Sequence, residues 1–423
     1  MTLFGWLYDL GLHLYACVSL PKMAVQYRKY KGTFLKRLGV GFPHIEKQGR
    51  QLIWIHAVSL GETKAVMPLI RRLKNLPDPP LILLSSTTHT GHAEGVQNSS
   101  ADYHVYLPFD FSYVIRPIMK RLMPDLVILT ETDFWYHFQS AAKEVGACLA
   151  VINGKLSARS FGRLTKTPFL SKRLLGTIDY FCLQSELYQK RFAALGIPIS
   201  KLNVTGNLKL DSEKEIGDSL VMKKRLGLTS ELVLTLGSTH DPEEKLFIAA
   251  YKELSKQFPT LKILIVPRHP ERFDAVASLL QSQKIRFSRW SQGGTLLDHQ
   301  MLLIDTMGML KKCYQISDIA FVGGSFTPKV GGHNILEPAY YGKPVIFGPY
   351  MHSQPDFLDL VRTYRAGLEL TPSTLLSHLQ KLLADRSFRE TLGQNGEKLI
   401  ATSRGALDKT LSLLLSLLKK NGL

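Results

Sequence analysis

A chain of 423 residues with 45% hydrophobic and 21% charged residues has the composition of a folded protein and is too long for one ordinary core. Its 53 Lys and Arg against 35 Asp and Glu leave a net charge of +18, which asks for an anionic partner: nucleic acid, an acidic membrane or a phosphorylated substrate. Cys17, Cys148, Cys182 and Cys313 are scattered with no CxxC pair and no metal-ligand spacing, which speaks against a structural zinc and for a reducing compartment.

The chain opens with an apolar run from Leu3 to Leu20, broken by Asp9 and His13 and close to the minimum length of a membrane span. No basic residue precedes it, which argues against a cleaved signal peptide. Behind it come Lys22, Arg28, Lys29, Lys31, Lys36 and Arg37, with no acid before Glu46, and the positive-inside tendency holds that side in the cytoplasm. Three readings fit: a spanning anchor, a helix lying on the bilayer beside a basic collar, or a helix packed on the protein itself.

Leu52 to Val58 (LIWIHAV) has the apolar, β-branched content of a buried strand. Ser59-Leu60-Gly61-Glu62 follows, then a helical pattern to Leu73. Further strands are expected at Leu81–Ser85, Leu126–Thr130, Ala147–Ile152 and Tyr180–Leu183, each separated by helical stretches. This alternation predicts a parallel, doubly wound sheet. TGNLKLD, Thr205 to Asp211, and the charged residues behind it read as a change of domain. A second α/β series runs through Leu232–Leu236, Leu261–Val266 and Met301–Ile304, and the end of the chain, Leu375 to Leu418, is helical.

The most informative stretch is 318–349. A strand from Asp318 to Val322 leads into a loop with Gly323, Gly324, Gly331 and Gly332, then a helix from about Asn334, then Gly342 and a strand from Pro344 to Phe347. Glycines there allow backbone to approach a ligand, exposed N–H groups at a helix start attract phosphate, and Glu337 one turn in is placed to accept from ribose hydroxyls.

Ligands of doubly wound sheets bind beyond the carboxyl ends of the strands, so polar residues there are the candidates. Glu62 lies past the first strand, placed either to take a proton from a substrate hydroxyl or to serve as an ordinary first-turn acid. Glu131 in TETD closes another strand, as a substrate contact or a solvated acid. Lys209 in GNLKLD is a candidate for a phosphate or carboxylate. In the second half, Gly237-Ser238-Thr239-His240 precedes an acidic helix start, and Arg268 in VPRHPERF has a planar fork suited to a nucleotide phosphate or base edge. His269 is either catalytic or packed against backbone. Asp305-Thr306-Met307-Gly308-Met309 sets small residues past a strand, where backbone can clamp a base. Walker A, HExxH and GxSxG are all missing, and no Asp-x-Asp metal site is visible, which favours metal-independent chemistry.

The ordered set Gly323-Gly324-Ser325, Gly331-Gly332-His333-Asn334 and Glu337-Pro338 resembles the nucleotide-binding signature of GT-B glycosyltransferases. Together with WIHAVSLGE, TET, NGKLS, GNLKLD, GSTH, VPRHPERF and DTMG, it resembles over nearly the whole chain the transferases that move 3-deoxy-D-manno-octulosonic acid (Kdo) from CMP-Kdo to lipid A precursor. The resemblance implies a membrane-anchoring apolar helix over 1–22, an acceptor-binding Rossmann-like domain over 23–206 and a CMP-Kdo-binding one over 207–423, the two facing across a cleft. It implies Glu62 as catalytic base, Glu131 and Lys209 assisting at the transition state, and Pro267, Arg268, Met307, Gly308, Met309, Asn334, Ile335, Leu336 and Glu337 holding CMP. It further implies a tetraacyl disaccharide 1,4'-bisphosphate acceptor, a place on the cytoplasmic face of the inner membrane, and neither cofactor, metal nor nucleic-acid partner. Three departures stand out: Met309 where the family often has an acid, TETDFWYHF after its first residues, and GPYMHSQ without the usual histidine after proline.

Two rivals make different predictions. A lipid-directed transferase using UDP-N-acetylglucosamine would prefer uridine nucleotides. A basic nucleic-acid-binding protein would bind duplex or single strands with steep salt dependence, although no recognised binding motif or stacking module is present.

Overall fold

The computed structural model describes residues 2–25, 32–211 and 217–420, without the side chains of 20–25, 419 and 420. Arg28, Lys29 and Lys31 of the basic collar, the side chain of Lys22, and the charged residues Glu213 to Glu215 lie outside the described residues. The chain divides into two compact units, Met1–Ser212 with Ser403–Leu423, and Glu213–Thr402.

The first unit holds a seven-stranded parallel sheet: β1 Leu52–His56, β2 Leu81–Ser86, β3 Tyr103–Tyr106, β4 Leu126–Thr130, β5 Cys148–Gly154, β6 Tyr180–Leu183 and β7 Leu202–Val204. Its order is β3-β2-β1-β4-β5-β6-β7. The chain starts at β1, winds outward through β3, then crosses back to β4 on the other side of β1. That reversal leaves a crevice beyond the carboxyl ends of β1 and β4. Every residue of β1 and β4 is buried, as expected of strands covered on both faces by helices. Trp54, fully buried, satisfies its indole N–H on the Ser85 hydroxyl at 2.9 Å.

The second unit repeats the plan: β8 Val233–Thr239, β9 Lys262–Pro267, β10 Phe287–Arg289, β11 Met301–Leu303, β12 Ile319–Val322, β13 Val345–Phe347 and β14 Gly367–Glu369. The order β10-β11-β9-β8-β12-β13-β14 puts its reversal between β8 and β12. Four strands were not anticipated, β3, β7, β10 and β14. Each is three or four residues long, lies at a sheet edge and is only partly buried, so none has the continuous apolar run that marks a central strand.

Two termini depart from the simplest reading. The last helix, Ala406–Lys420, packs with the first unit, where Leu411, Leu414, Leu417 and Leu418 join Val66, Leu69 and Ile70 in one core. The Asp211 carboxylate accepts the N–H groups of Gly405 and Leu407 at its start. At the other end, Leu3–Val25 is one helix, and among the described residues no helix is long and apolar enough to cross a membrane. One side of it lies on the first unit: Phe4 meets Tyr136 edge-on at 4.7 Å, and buried Asp9 accepts the N–H and hydroxyl of Ser112 at 3.1 and 2.6 Å. The other side stays exposed at Leu3, Leu7, Leu10, Leu14 and Val18, one helical stripe.

Candidate active site

In the first unit the strand-end motifs converge on the β1/β4 reversal. β1 ends at His56, and Ser59 caps the helix Leu60–Lys74 with its hydroxyl accepting from the Glu62 N–H. Glu62 answers in the manner of a capping box: its Oε2 accepts the Val58 N–H at 2.9 Å and its Oε1 accepts the Ser59 hydroxyl at 3.0 Å. Burial, then the negative charge of Glu131, push the Glu62 carboxyl above the ordinary glutamate range against those hydrogen bonds. The acid is therefore both cap and candidate base.

Glu131 stands past the end of β4 with φ +62°, an unusual conformation for a non-glycine residue, its N–H held by the carbonyl of Ile152 at 2.9 Å. The carboxylate is buried between two ammonium groups, Lys155 Nζ at 2.6 Å and Lys209 Nζ at 2.9 Å, on different oxygens. Burial works to raise its pKa, but Lys209 and Lys155 outweigh burial and hold the carboxyl below its usual range. Two neighbouring carboxylates with pKa values driven apart are a recurring mark of acid–base chemistry. Asn153 joins β5 to this cluster: with φ +52° and fully buried, it accepts the Leu208 N–H at 3.0 Å and so sets the turn that carries Lys209. His56, fully buried, lies 3.2 Å from Asp133, which also accepts the Trp135 indole N–H at 2.6 Å. This pins the segment after Glu131 to β1.

In the second unit, Pro267 ends β9, Met307 to Met309 follow β11 beside it, and Asn334 to Glu337 come after β12, on the other side of β8. Pro267 ends β9 buried and turns Arg268 out to solvent, its N–H held by Thr239 O at 3.2 Å. Gly308 takes φ +83°, and Met307 is exposed; the loop is anchored by Asp305, which accepts from Arg289 Nε at 2.7 Å and from the Ser291 N–H and hydroxyl.

Beyond β12 the glycine loop is built around a residue the sequence did not single out. Glu243, fully buried, accepts the N–H groups of His240 and Gly324 on one oxygen and of Phe326 on the other, all at 2.8–2.9 Å. A Cβ at Gly323 would sit 2.4 Å from the Ser238 carbonyl, so only glycine fits there. His240 and His333 close the β8/β12 reversal through a 2.8 Å bond between their Nε2 atoms, one ring donating and the other accepting. Burial first, then the charges of His240, Arg268 and His269, take the His333 pKa down to about 4, so His333 is neutral at pH 7.

The expected helix from Asn334 is a single turn, Leu336–Ala339, ended by Gly342 at φ +65°. One turn has little dipole, and the N–H groups of Gly323, Gly324, Phe326, Gly331, Gly332 and His333 donate to groups of the loop and its neighbours. Asn334 Oδ1 accepts the Leu336 N–H at 3.0 Å, Ile335 and Leu336 are buried, and Glu337 is half-buried.

Glu62, Glu131 and Lys209 thus share one strand-end cluster, and the nucleotide candidates lie past the carboxyl ends of β9, β11 and β12 in the other sheet. Missed were Lys155, Asn153 and Glu243. Lys155 carried a usable signal, a lysine just past the strand in NGKLS; Glu243 in an acidic helix start did not stand out from ordinary first-turn acids.

A family model described as 3-deoxy-D-manno-octulosonic-acid transferase (kdotransferase) matches residues 33–212. The chain is 34% identical over 418 residues to the 3-deoxy-D-manno-octulosonic acid transferase of Chlamydia muridarum, covering 97% of this chain and 96% of that one. The same identity extends over 409 residues of the transferase of that name from Haemophilus influenzae, 94% of each chain. Among solved structures, the UDP-GlcNAc 2-epimerase of Neisseria meningitidis matches 86% of this chain and 100% of its own with a TM-score of 0.60 at 16% identity. A glycosyltransferase of Rickettsia africae matches 88% and 99% with a TM-score of 0.59 at 14% identity. These two likenesses concern the fold alone.

Proposed function

The chain belongs to the 3-deoxy-D-manno-octulosonic acid transferase family, glycosyltransferases of lipopolysaccharide biosynthesis, and from that premise we propose that it moves Kdo from CMP-Kdo to a tetraacyl disaccharide 1,4'-bisphosphate. The observation that supports this best is the Glu62 and Glu131 pair at the β1/β4 reversal, with the Glu62 carboxyl raised and Glu131 kept ionised.

In this reading an acceptor hydroxyl attacks the anomeric carbon of Kdo while Glu62 Oε takes its proton. The bond from that carbon to the CMP phosphate oxygen breaks, CMP leaves with the electron pair, and the configuration inverts. Positive charge develops on the sugar ring as the leaving group departs, and ionised Glu131 opposes it, held in place by Lys155 and Lys209. Arg268, the backbone of Met307 to Met309, and Asn334 to Glu337 bind CMP. The phosphate is neutralised by side chains and loop N–H groups, with no step assigned to a metal.

The N-terminal helix fits a surface anchor on the cytoplasmic face of the inner membrane. Leu3, Leu7, Leu10, Leu14 and Val18 are 57–79% exposed on one stripe while Asp9 fastens the opposite side to the protein. Beside it, Phe169 is exposed and touches Phe4 at 5.5 Å, and the helix Ala158–Lys166 adds Arg159, Arg163 and Lys166 for anionic headgroups.

The test is mass spectrometry of the acylated disaccharide bisphosphate after incubation with purified protein, CMP-Kdo and chelator. A product heavier by one or more Kdo units is expected. No product from folded protein, with a working control enzyme, overturns the reading and directs the search to UDP-sugar donors.

A further inference from the structure

Across the first unit's sheet from Glu131, the ends of β2 and β3 carry a cationic, aromatic cluster that the mechanism above does not use. His92 stacks on Tyr106 with ring centres 4.1 Å apart, and His89 Nδ1 lies 3.0 Å from the Tyr106 hydroxyl. The short helix Phe34–Arg37 closes over this pair, its carbonyl at Arg37 accepting the Phe109 N–H at 2.7 Å just past β3. Arg37 donates to the carbonyl of Thr87 and lies over the Phe109 ring at 5.6 Å, which fixes its guanidinium beside the β2 end. Lys36 is exposed and close enough that its charge, after burial and His104, helps to lower the His92 pKa. The acid on the neighbouring helix face, Glu94, points to Lys64 instead.

This cluster is wired to the candidate base. The Thr87 and Thr88 N–H groups, immediately before His89, donate to the carbonyl of Val58, and the N–H of that same Val58 donates to Glu62. Thr88 then caps the helix His89–Asn98 with its hydroxyl on the Gly91 N–H. Glu62 and the cluster are therefore joined through the backbone of Val58 on one strand-end scaffold. His92 stacked on buried Tyr106 and His89 bonded to its hydroxyl, both beside the segment of Lys36 and Arg37, suit a phosphate monoester. The anion would offset the Lys36 charge that disfavours protonation of His92 and accept from guanidinium, ammonium and imidazole N–H groups at once.

We propose that Lys36, Arg37, His89 and His92 form a binding site for a phosphate monoester of the acceptor, which orients the acceptor hydroxyl toward Glu62. The proposal rests on the acceptor reading given above. The shared chemistry with a membrane headgroup phosphate is plain, and the experiment separates the two sources.

Initial rates are measured for wild type and the double variant K36Q/H92Q on the bisphosphorylated acceptor and on its two monophosphorylated forms, with folding checked by thermal melts. For the phosphate seated here, removing it from the acceptor lowers wild-type kcat/KM at least tenfold. The variant loses a similar factor on the bisphosphate, mainly through KM, and loses little more when that phosphate is absent. Losses that multiply independently for both monophosphates overturn the proposal. So does an unchanged acceptor preference with weakened flotation on vesicles of anionic lipid, which assigns the cluster to headgroups. A wild type inactive on every acceptor rejects the transferase reading itself. In that case NMR of the histidine ring resonances with inorganic phosphate still decides whether the cluster binds the anion: a saturable shift of His89 and His92 that K36Q weakens supports it, and no shift overturns it.

Discussion

Replacing Glu62 by glutamine separates the residue's two jobs. As a cap, Glu62 accepts the Val58 N–H at 2.9 Å and the Ser59 hydroxyl at 3.0 Å. Glutamine keeps the first bond through its carbonyl, and its amide N–H can donate to a Ser59 hydroxyl that turns to accept. The charge lost at a helix start is worth about 0.3–1 kcal/mol. Against that loss, the substitution removes repulsion from Glu131 and the penalty of burying a charge, the two effects that raise the carboxyl's pKa. E62Q should therefore melt within about 1 kcal/mol of wild type. Alanine, which leaves the Val58 N–H without its acceptor, should cost about 1 kcal/mol more.

As a base, the same carboxylate is irreplaceable by an amide, and its loss should lower kcat by about 10²–10⁴-fold, or about 3–5 kcal/mol of barrier. The pH behaviour has a definite sign. A base works when deprotonated, so wild-type rate falls as pH drops through the raised Glu62 pKa, and this limb should be missing from the residual rate of E62Q. For stability, a carboxyl whose folded pKa lies above its unfolded value contributes below the unfolded value and loses that contribution as pH rises through the folded one. E62Q should accordingly gain on wild type as pH rises. Initial rates by mass spectrometry and parallel melts read both. A folded E62Q that turns over within tenfold of wild type refutes the assignment of Glu62 as base.

Three further outcomes are expected. E131Q leaves Lys155 and Lys209 facing each other without their carboxylate; since both lysines are partly exposed, the loss at pH 7 should be about 2 kcal/mol. Because Glu131's folded pKa is depressed, that difference is present above the unfolded pKa and should shrink below about pH 4 in denaturant titrations. E243Q deprives the three N–H groups on Glu243 of one carboxylate oxygen and should weaken CMP binding at least tenfold by titration calorimetry, with about 1–3 kcal/mol of stability lost. L7E/L14E changes residues 58% and 60% exposed, so its melt should stay within about 0.5 kcal/mol while flotation with anionic vesicles is lost.

The parts of the fold legible in the sequence were those with a strong local cause. Strands buried on both faces, such as Leu52–His56 and Leu126–Thr130, must be continuously apolar, and that run is visible without any neighbour. Edge strands such as Phe287–Arg289 need only one partner, and their pattern is not distinguishable from a loop. The last stretch was legible as helical, but the partners Val66, Leu69 and Ile70 are more than three hundred residues away, and periodicity does not say which core an apolar stripe will fill.

The candidate site divides along the same line. Glu62, Glu131 and Lys209 stand directly after strands or at a turn, so the rule that ligands gather at strand ends reaches them one at a time. What it does not reach is their dependence on each other. That Glu131 is ionised although buried follows from Lys155 and Lys209 closing on it from turns 24 and 78 residues along the chain, and those turns are set in part by buried Asn153. Glu243 is the stronger case. Its neighbour Glu244 makes an ordinary bidentate pair with Arg272, and in sequence the two acids are equivalent. Only the return of the chain at β12, eighty residues later, brings the Gly324 and Phe326 N–H groups onto Glu243 and converts a first-turn acid into the support of the glycine loop. A sequence motif marks where backbone must pass close to something; the residue that holds it there is found only when the fold has closed.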